Sequence, residues 1–179
     1  HLARITDEEV LETISENKEK VPEKKSKSGI IVKGLYDVAV HFSKCCSPVP
    51  GDEIVGFVTR GRGVSIHRTD CINIINLSDM ERERLIDAEW QHDEESGSSG
   101  LYLAEIKVFC NNRTGLLVDI TRAFTEREID INAIHSKTSK QGIATIDISF
   151  NTKGKAELTS VIDKLRQIDS IIDIERTTG

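Results

Sequence analysis

A chain of 179 residues with 37% apolar and 30% charged side chains is long enough for one or two soluble domains with two small cores. No apolar run approaches the ~18–20 residues of a membrane-spanning helix and no signal peptide is visible, so a cytoplasmic protein with no membrane partner is expected. A formal charge of −6 argues against a general nucleic-acid binder, but five lysines against two glutamates fall in residues 18–27 and eight acids against two arginines in residues 79–95.

Taken in order, Thr6-Asp7-Glu8-Glu9 is a capping box, with Ile5 and Val10 placed as a hydrophobic staple. Val10, Leu11 and Ile14 continue a short apolar stripe, which predicts a helix of roughly three turns that needs a partner to be stable. Residues 17–29 are Lys, Glu and Ser around Pro22, with Val21 as the only large apolar residue. Residues 1–28 are therefore expected to be a helix and a basic linker. The linker is either a solvated hinge or a tether near RNA.

A first module is expected over residues 29–92. Ile30–Lys33 reads as a strand, Gly34 as a turn, and Val38–Phe42 as a strand with Val38, Val40 and Phe42 on one face. The turn-rich stretch from Lys44 to Asp52 follows. Ile54–Thr59 and Val64–His67 then form a hairpin folded back at Arg60–Gly63, with thiols at one end and guanidinium groups at its tip. Thr69 is placed as N-cap of a short helix whose apolar side is Ile72, Ile74 and Ile75. Arg84–Trp90 closes the sheet as a last strand. A module of about 60 residues is near the lower limit for folding without a metal or a partner.

Two clusters in this module carry chemistry. Cys45, Cys46, His67 and Cys71 supply the ligand types of a zinc site, and His67-x-x-x-Cys71 is a sound half-site. Adjacent Cys45 and Cys46 are the weak half, because neighbours on a strand point to opposite faces. Only a tight turn before Pro48 aims both sulfurs at one ion. Buried, reduced thiols are the other reading, so zinc is the one cofactor to test. Lys44, Arg60, Arg62 and Arg68 suit phosphate, with glycines flanking Arg62 to let a large partner approach. A solvated hairpin tip is the plainer alternative.

Residues 79–100 form a boundary that ends in Ser96-Gly97-Ser98-Ser99-Gly100, with residues 93–100 as linker. A second domain is expected over residues 101–179. Tyr102, Ala104, Ile106 and Val108 alternate; Leu116, Leu117, Ile120, Ala123 and Phe124 repeat at helical spacing; Ile129–Ile134 is a strand. Ala144, Ile146, Ile148 and Phe150 alternate again. Leu158, Val161, Ile162 and Leu165 mark a second helix, and Ile171–Arg176 a last strand. The order βαββαβ is a ferredoxin-like sandwich. Its informative turn is Asn111-Asn112-Arg113-Thr114-Gly115-Leu116-Leu117, where a helix start exposes N–H groups suited to a carboxylate.

The pattern Cys45-Cys46-x-Pro48-x-Pro50-Gly51-Asp52, Gly56, Thr59-Arg60-Gly61-Arg62-Gly63 and His67-Arg68-Thr69-Asp70-Cys71 resembles the conserved-cysteine (RIS or zinc-finger-like) module of long RelA/SpoT homologues. Those enzymes make and destroy (p)ppGpp, and an ACT domain follows this module in the family. The resemblance implies an α+β chain: a small β-rich conserved-cysteine module, then a ferredoxin-like βαββαβ ACT domain. It also implies a non-catalytic regulatory region, since the family's catalytic domains precede these modules. The implied partners are the ribosome and uncharged tRNA, the enzyme's own catalytic domains, and a second copy through the ACT domain. The resemblance further implies a branched-chain amino acid held by Asn112, Arg113, Thr114, Gly115 and Leu116, with Asn132, Ala133 and Ile134 of the other copy. Asn112 stands where the family commonly has Asp, which removes a charge from that site. The other reading is a dimerisation or docking module with no small-molecule ligand.

Overall fold

The computed structural model describes residues 29–35, 37–91 and 100–177. The expected N-terminal helix and basic linker, and most of the Ser/Gly linker, lie outside the described residues.

The first unit is a five-stranded sheet, β1 (Ile30–Val32), β2 (Val40–Phe42), β3 (Ile54–Val58), β4 (Val64–Arg68) and β5 (Leu85–Trp90), in the order β1-β5-β3-β4-β2. The expected hairpin is β3 and β4, antiparallel from Ile54↔Arg68 to Val58↔Val64. Thr59 closes its turn, its N–H and Oγ1 both donating to the Gly63 carbonyl at 2.9 and 2.7 Å. Gly63 is obligatory there: its φ is +76°, and a Cβ would lie 2.0 Å from the Ala39 carbonyl oxygen.

Three features depart from expectation. Strand β2 is shorter than Val38–Phe42 and pairs with β4 in parallel. Strand β5, expected to close the sheet as a last strand, is interior, bonded to both β1 and β3. The short helix α1 (Ile72–Ile75) has Cys71, not Thr69, at its N-cap, and of its three isoleucines only Ile74 is buried. A second one-turn helix, α2 (Asp79–Arg82), carries a capping box in which Ser78 Oγ accepts the Glu81 N–H. Residues 79–91, read both as the end of the first module and as the start of a boundary, form part of the module.

The sheet's two faces have different neighbours. Ile30, Val32, Val64, Ile66 and Ala88 build an apolar core with Phe42, Ile54, Ile86 and Trp90. On the other side Cys46, Cys71 and Ile74 pack with Cys45, Val55, Leu77 and Leu85.

The second unit is the expected α+β sandwich: β6 (Tyr102–Asn111), α3 (Leu116–Thr125), β7 (Ile131–Thr138), β8 (Ile143–Thr152), α4 (Lys155–Arg166) and β9 (Ile171–Arg176). Its antiparallel sheet runs β7-β8-β6-β9. The alternating residues Ala104, Ile106, Val108, Ala144, Ile146, Ile148 and Phe150 meet Leu116, Ile120, Phe124, Leu158, Val161 and Leu165 of the helices. Strand β7 starts two residues later than Ile129 and runs on through His135-Ser136-Lys137-Thr138, a polar stretch with no apolar alternation to announce it.

The units meet along a buried seam. Val49 is fully buried and belongs to the sandwich core, although it lies in the first unit's turn system. Asp52, its side chain 4% exposed, receives both guanidinium nitrogens of Arg176 at 2.7 and 2.9 Å. The Lys155 N–H donates to the Pro50 carbonyl at 2.8 Å, fixing the start of α4. Trp90 stacks on Phe42, meets Tyr102 edge-on at 5.7 Å, and donates from Nε1 to the Asp52 carbonyl at 3.0 Å.

Candidate functional site

The cysteine cluster is made by two turns at one end of the five-stranded sheet. After Phe42 the chain leaves the extended state, and the Ser47 N–H closes back on the Ser43 carbonyl at 3.0 Å. Ser47 then takes a positive φ of 44° ahead of Pro48. This turn removes the strand alternation that would have parted the adjacent thiols. A second turn, closed by the Cys71 N–H on the Arg68 carbonyl at 3.1 Å, brings Cys71 back beneath strand β4. The ligand atoms of Cys45, Cys46, His67 and Cys71 all lie within 4.8 Å of one another.

His67 Nδ1 is 3.4 Å from Cys45 Sγ and 3.9 Å from Cys46 Sγ, while its Nε2 is 3.1 Å from Ser65 Oγ. A proton on Nε2, donated to Ser65, leaves the Nδ1 lone pair facing the sulfurs. The Arg68 N–H donates to Cys46 Sγ at 3.3 Å. Burial pushes the Cys46 thiol up to about 12. Burial also raises Cys71, although the Asn73 amide pulls the other way. At Cys45 burial is outweighed by hydrogen bonds from Ser43, Asn73 and the neighbouring thiols, so its pKa is lowered. Burial, then the charge of the nearby His41, lowers the pKa of His67.

Three thiols and an imidazole at this spacing fit a four-coordinate ion, so the cluster can hold a metal such as zinc. A bound cation would reverse the burial penalty on the thiolates. Ser65, like Ser43 and Asn73 beside Cys45, is a site residue that sequence reasoning missed. Only the register of β4, which puts Ser65 and His67 on one face, could have shown it.

The four basic residues are not brought together. Arg60 and Arg62 are exposed at the hairpin tip. Arg84, which the sequence did not single out, holds the Val58 carbonyl at 2.9 Å beside that tip and lies 4.6 Å above the Phe57 ring. Lys44 is exposed at the opposite, cysteine end. Arg68 is only 6% exposed: it pairs with Asp70 and donates to the carbonyls of Cys46 and Thr177 at 3.4 and 3.3 Å. Its guanidinium braces the seam instead of facing a partner.

The second expected site is likewise distributed. Gly115, at φ +79°, is the N-cap of α3 and supplies no side-chain cap; the Leu116 N–H turns back to the Arg113 carbonyl at 3.3 Å. Arg113 is committed to Asp119 at 2.6 Å, Ser170 Oγ at 2.5 Å and the Thr114 carbonyl. Leu116 is 2% exposed within the core, so its side chain does not reach a ligand. Asn112 sits by the β7–β8 turn, its N–H donating to the Gly142 carbonyl at 2.8 Å. Asn132 exchanges amide hydrogen bonds with Asn151 at the far end of β8. Within one chain the loop and Asn132, Ala133 and Ile134 lie at opposite ends of the sheet.

Fold and site together define a metal-competent cysteine–histidine module docked on an ACT-type sandwich. Residues 30–91 match the RelA/SpoT RIS domain, and residues 98–176 match the ACT domain. The chain belongs to the RelA/SpoT family and holds its RIS and ACT domains. It is 38% identical over 167 residues to the GTP pyrophosphokinase of Escherichia coli K12, covering 92% of this chain and 22% of that protein. It is 38% identical over 151 residues to that of Streptomyces coelicolor, covering 84% and 17%. The chain thus spans about a fifth of the length of these relatives, whose catalytic parts align outside it. Among solved structures, the ACT domain from GTP pyrophosphokinase of Chlorobium tepidum is 27% identical, covers 43% of this chain and 99% of its own, and superposes with a TM-score of 0.39. Among the described residues no helix is long and apolar enough to cross a membrane.

Proposed function

We propose that this chain is the non-catalytic sensor of a cytoplasmic (p)ppGpp synthetase/hydrolase of the stringent response. The RIS module (residues 29–92) takes the ribosome and uncharged tRNA. The ACT domain (residues 101–179) takes a branched-chain amino acid as a dimer, and both signals pass to catalytic domains elsewhere in the protein. The observation that carries this reading is the Arg60-Gly61-Arg62-Gly63 tip, exposed and free of acidic neighbours in the turn, at the end of the sheet remote from the seam. Guanidinium groups held there by a rigid hairpin suit RNA phosphate and stacked bases.

In the full-length protein, Arg62→Glu lowers activation by ribosomes carrying uncharged tRNA several-fold, with the melting temperature unchanged. Unchanged activation in a normally folded variant overturns the RNA role. The chain alone is expected neither to make nor to hydrolyse (p)ppGpp, and turnover of GTP with ATP, or of ppGpp, by the purified chain would count against that.

For the ACT domain two readings compete. Supporting a composite ligand site between two copies are the start of α3 without a side-chain cap at Gly115 and the length of exposed edge in β7. Supporting dimerisation without a ligand are the prior commitments of Arg113 and the burial of Leu116. Calorimetry with valine, leucine and isoleucine, beside sedimentation, separates them. The sensing reading expects heat and a dimer, at micromolar affinity at best for so small a ligand, and no heat with Gly115→Asp. A silent dimer leaves only docking.

A further inference from the structure

We propose that Cys45 and Cys71 are a peroxide-oxidised thiol pair, closing a disulfide within the chain that competes with metal for the same sulfurs. Their Sγ atoms are 3.4 Å apart, although the residues are 26 positions apart in sequence. Cys45 is the partly exposed member and Cys71 is fully buried. An oxidant from solvent therefore meets Cys45 first, with Cys71 placed behind it as the resolving thiol. The other cysteines are less well placed. Adjacent residues hold their Cα atoms about 3.8 Å apart, short of the roughly 4.4–6.8 Å of ordinary disulfides, which disfavours Cys45–Cys46. Cys46 Sγ is also held by the Arg68 N–H, and its carbonyl by the Arg68 guanidinium. Cys110 is buried in the other core, its thiol turned to the Ala144 carbonyl.

The chemistry needs a hydroperoxide from outside. The Cys45 thiolate attacks its terminal oxygen, the O–O bond breaks, and the alkoxide (hydroxide, for hydrogen peroxide) leaves and takes a proton. Cys45 is then a sulfenic acid. The Cys71 thiolate attacks the Cys45 sulfur, the S–S bond forms, the S–O bond breaks, and the leaving hydroxide is protonated to water. Two thiols and one hydroperoxide become a disulfide, an alcohol (or water) and water. The sulfurs lose the two electrons that the peroxide gains. The disulfide removes two of the four donors and leaves Cys46 and His67 alone, so the bridged and metal-bound forms exclude each other. The module then carries a redox input beside its proposed ribosome contact.

The test uses the unmodified chain, reduced, stripped with EDTA, treated with hydrogen peroxide, alkylated and mapped by tryptic mass spectrometry. Fragment ions between Cys45 and Cys46 identify the partner. The expected product is a Cys45–Cys71 bridge within one chain, with Cys46 and Cys110 alkylated and all four thiols restored by dithiothreitol. Preloading with zinc chloride should slow bridging at least tenfold. Cys71→Ser should lose the bridge and trap a dimedone-reactive sulfenic acid at Cys45. The map of the unmodified chain decides the pairing whether or not a variant folds. A bridge to Cys46 or Cys110, a bridge between chains, over-oxidation of Cys45 without a bridge, or bridging at equal rate with zinc present would each overturn the proposal.

Discussion

Ser65 Oγ lies 3.1 Å from the His67 nitrogen that faces away from the sulfurs, which leaves Nδ1 as the nitrogen on the side of the thiols. Partners of this kind commonly contribute 10–100-fold to metal affinity. Ser65→Ala should therefore weaken zinc binding by about 10–100-fold, read by competition with a chromophoric chelator, while the metal-free chain melts almost as before. Equal affinity would remove Ser65 from the site. Residue types and the His67-x-x-x-Cys71 spacing pointed to Cys45, Cys46, His67 and Cys71, while the turn that gathers the adjacent thiols left no clear signal beyond Pro48. Ser65 was hidden because a serine in a strand has no such signature. Arg68 was misleading for the converse reason: a guanidinium two residues before Asp70 reads as surface charge, yet the fold turns it into the seam.

At the scale of elements, the turn from Ser47 to Asp52 joins the cysteine cluster to the sandwich. Val49 is its plug, fully buried in the core built by β6, β8 and the two helices. Val49→Ala removes two methyl groups and should destabilise the ACT domain by about 2 kcal/mol. The check is denaturant unfolding of the whole chain against a chain of residues 100–179. If Val49→Ala melts like the parent, the plug contributes nothing. The sandwich was legible because each strand alternates and each helix repeats; β7 was the exception, its polar second half leaving no period to read. The five-stranded sheet was less legible. Its parallel β2–β4 pairing and interior β5 follow from long-range register, which no short window contains. Helix α2 was readable in principle, since Ser78-x-x-Glu81 is the same capping box that marks Thr6–Glu9. The surrounding run of acids made it look like linker.

For the whole molecule, the ion pair of Asp52 with Arg176 makes docking of the two units sensitive to acid. Burial alone would raise the Asp52 carboxyl, but the Arg176 hydrogen bonds, the Val49 N–H at 2.9 Å and the charges of Arg176 and Arg68 outweigh it, so the pKa is lowered. A lowered carboxylate stabilises the docked state fully above its ordinary value of about 3.9, and that contribution is lost as pH falls through the lowered value. Trp90, the only tryptophan, reports on the seam because its Nε1–H binds the Asp52 carbonyl and its ring meets Tyr102 of the other sheet. Its emission should shift to the red as pH falls below about 4, before far-ultraviolet dichroism reports loss of either sheet. Asp52→Asn removes the titrating group and should abolish this early transition. Arg176→Met should instead open the seam at neutral pH, because a buried carboxylate without its partner costs on the order of 3–5 kcal/mol. Coincident fluorescence and dichroism transitions in the parent, with Asp52→Asn unchanged, would show that the seam does not titrate separately from the fold.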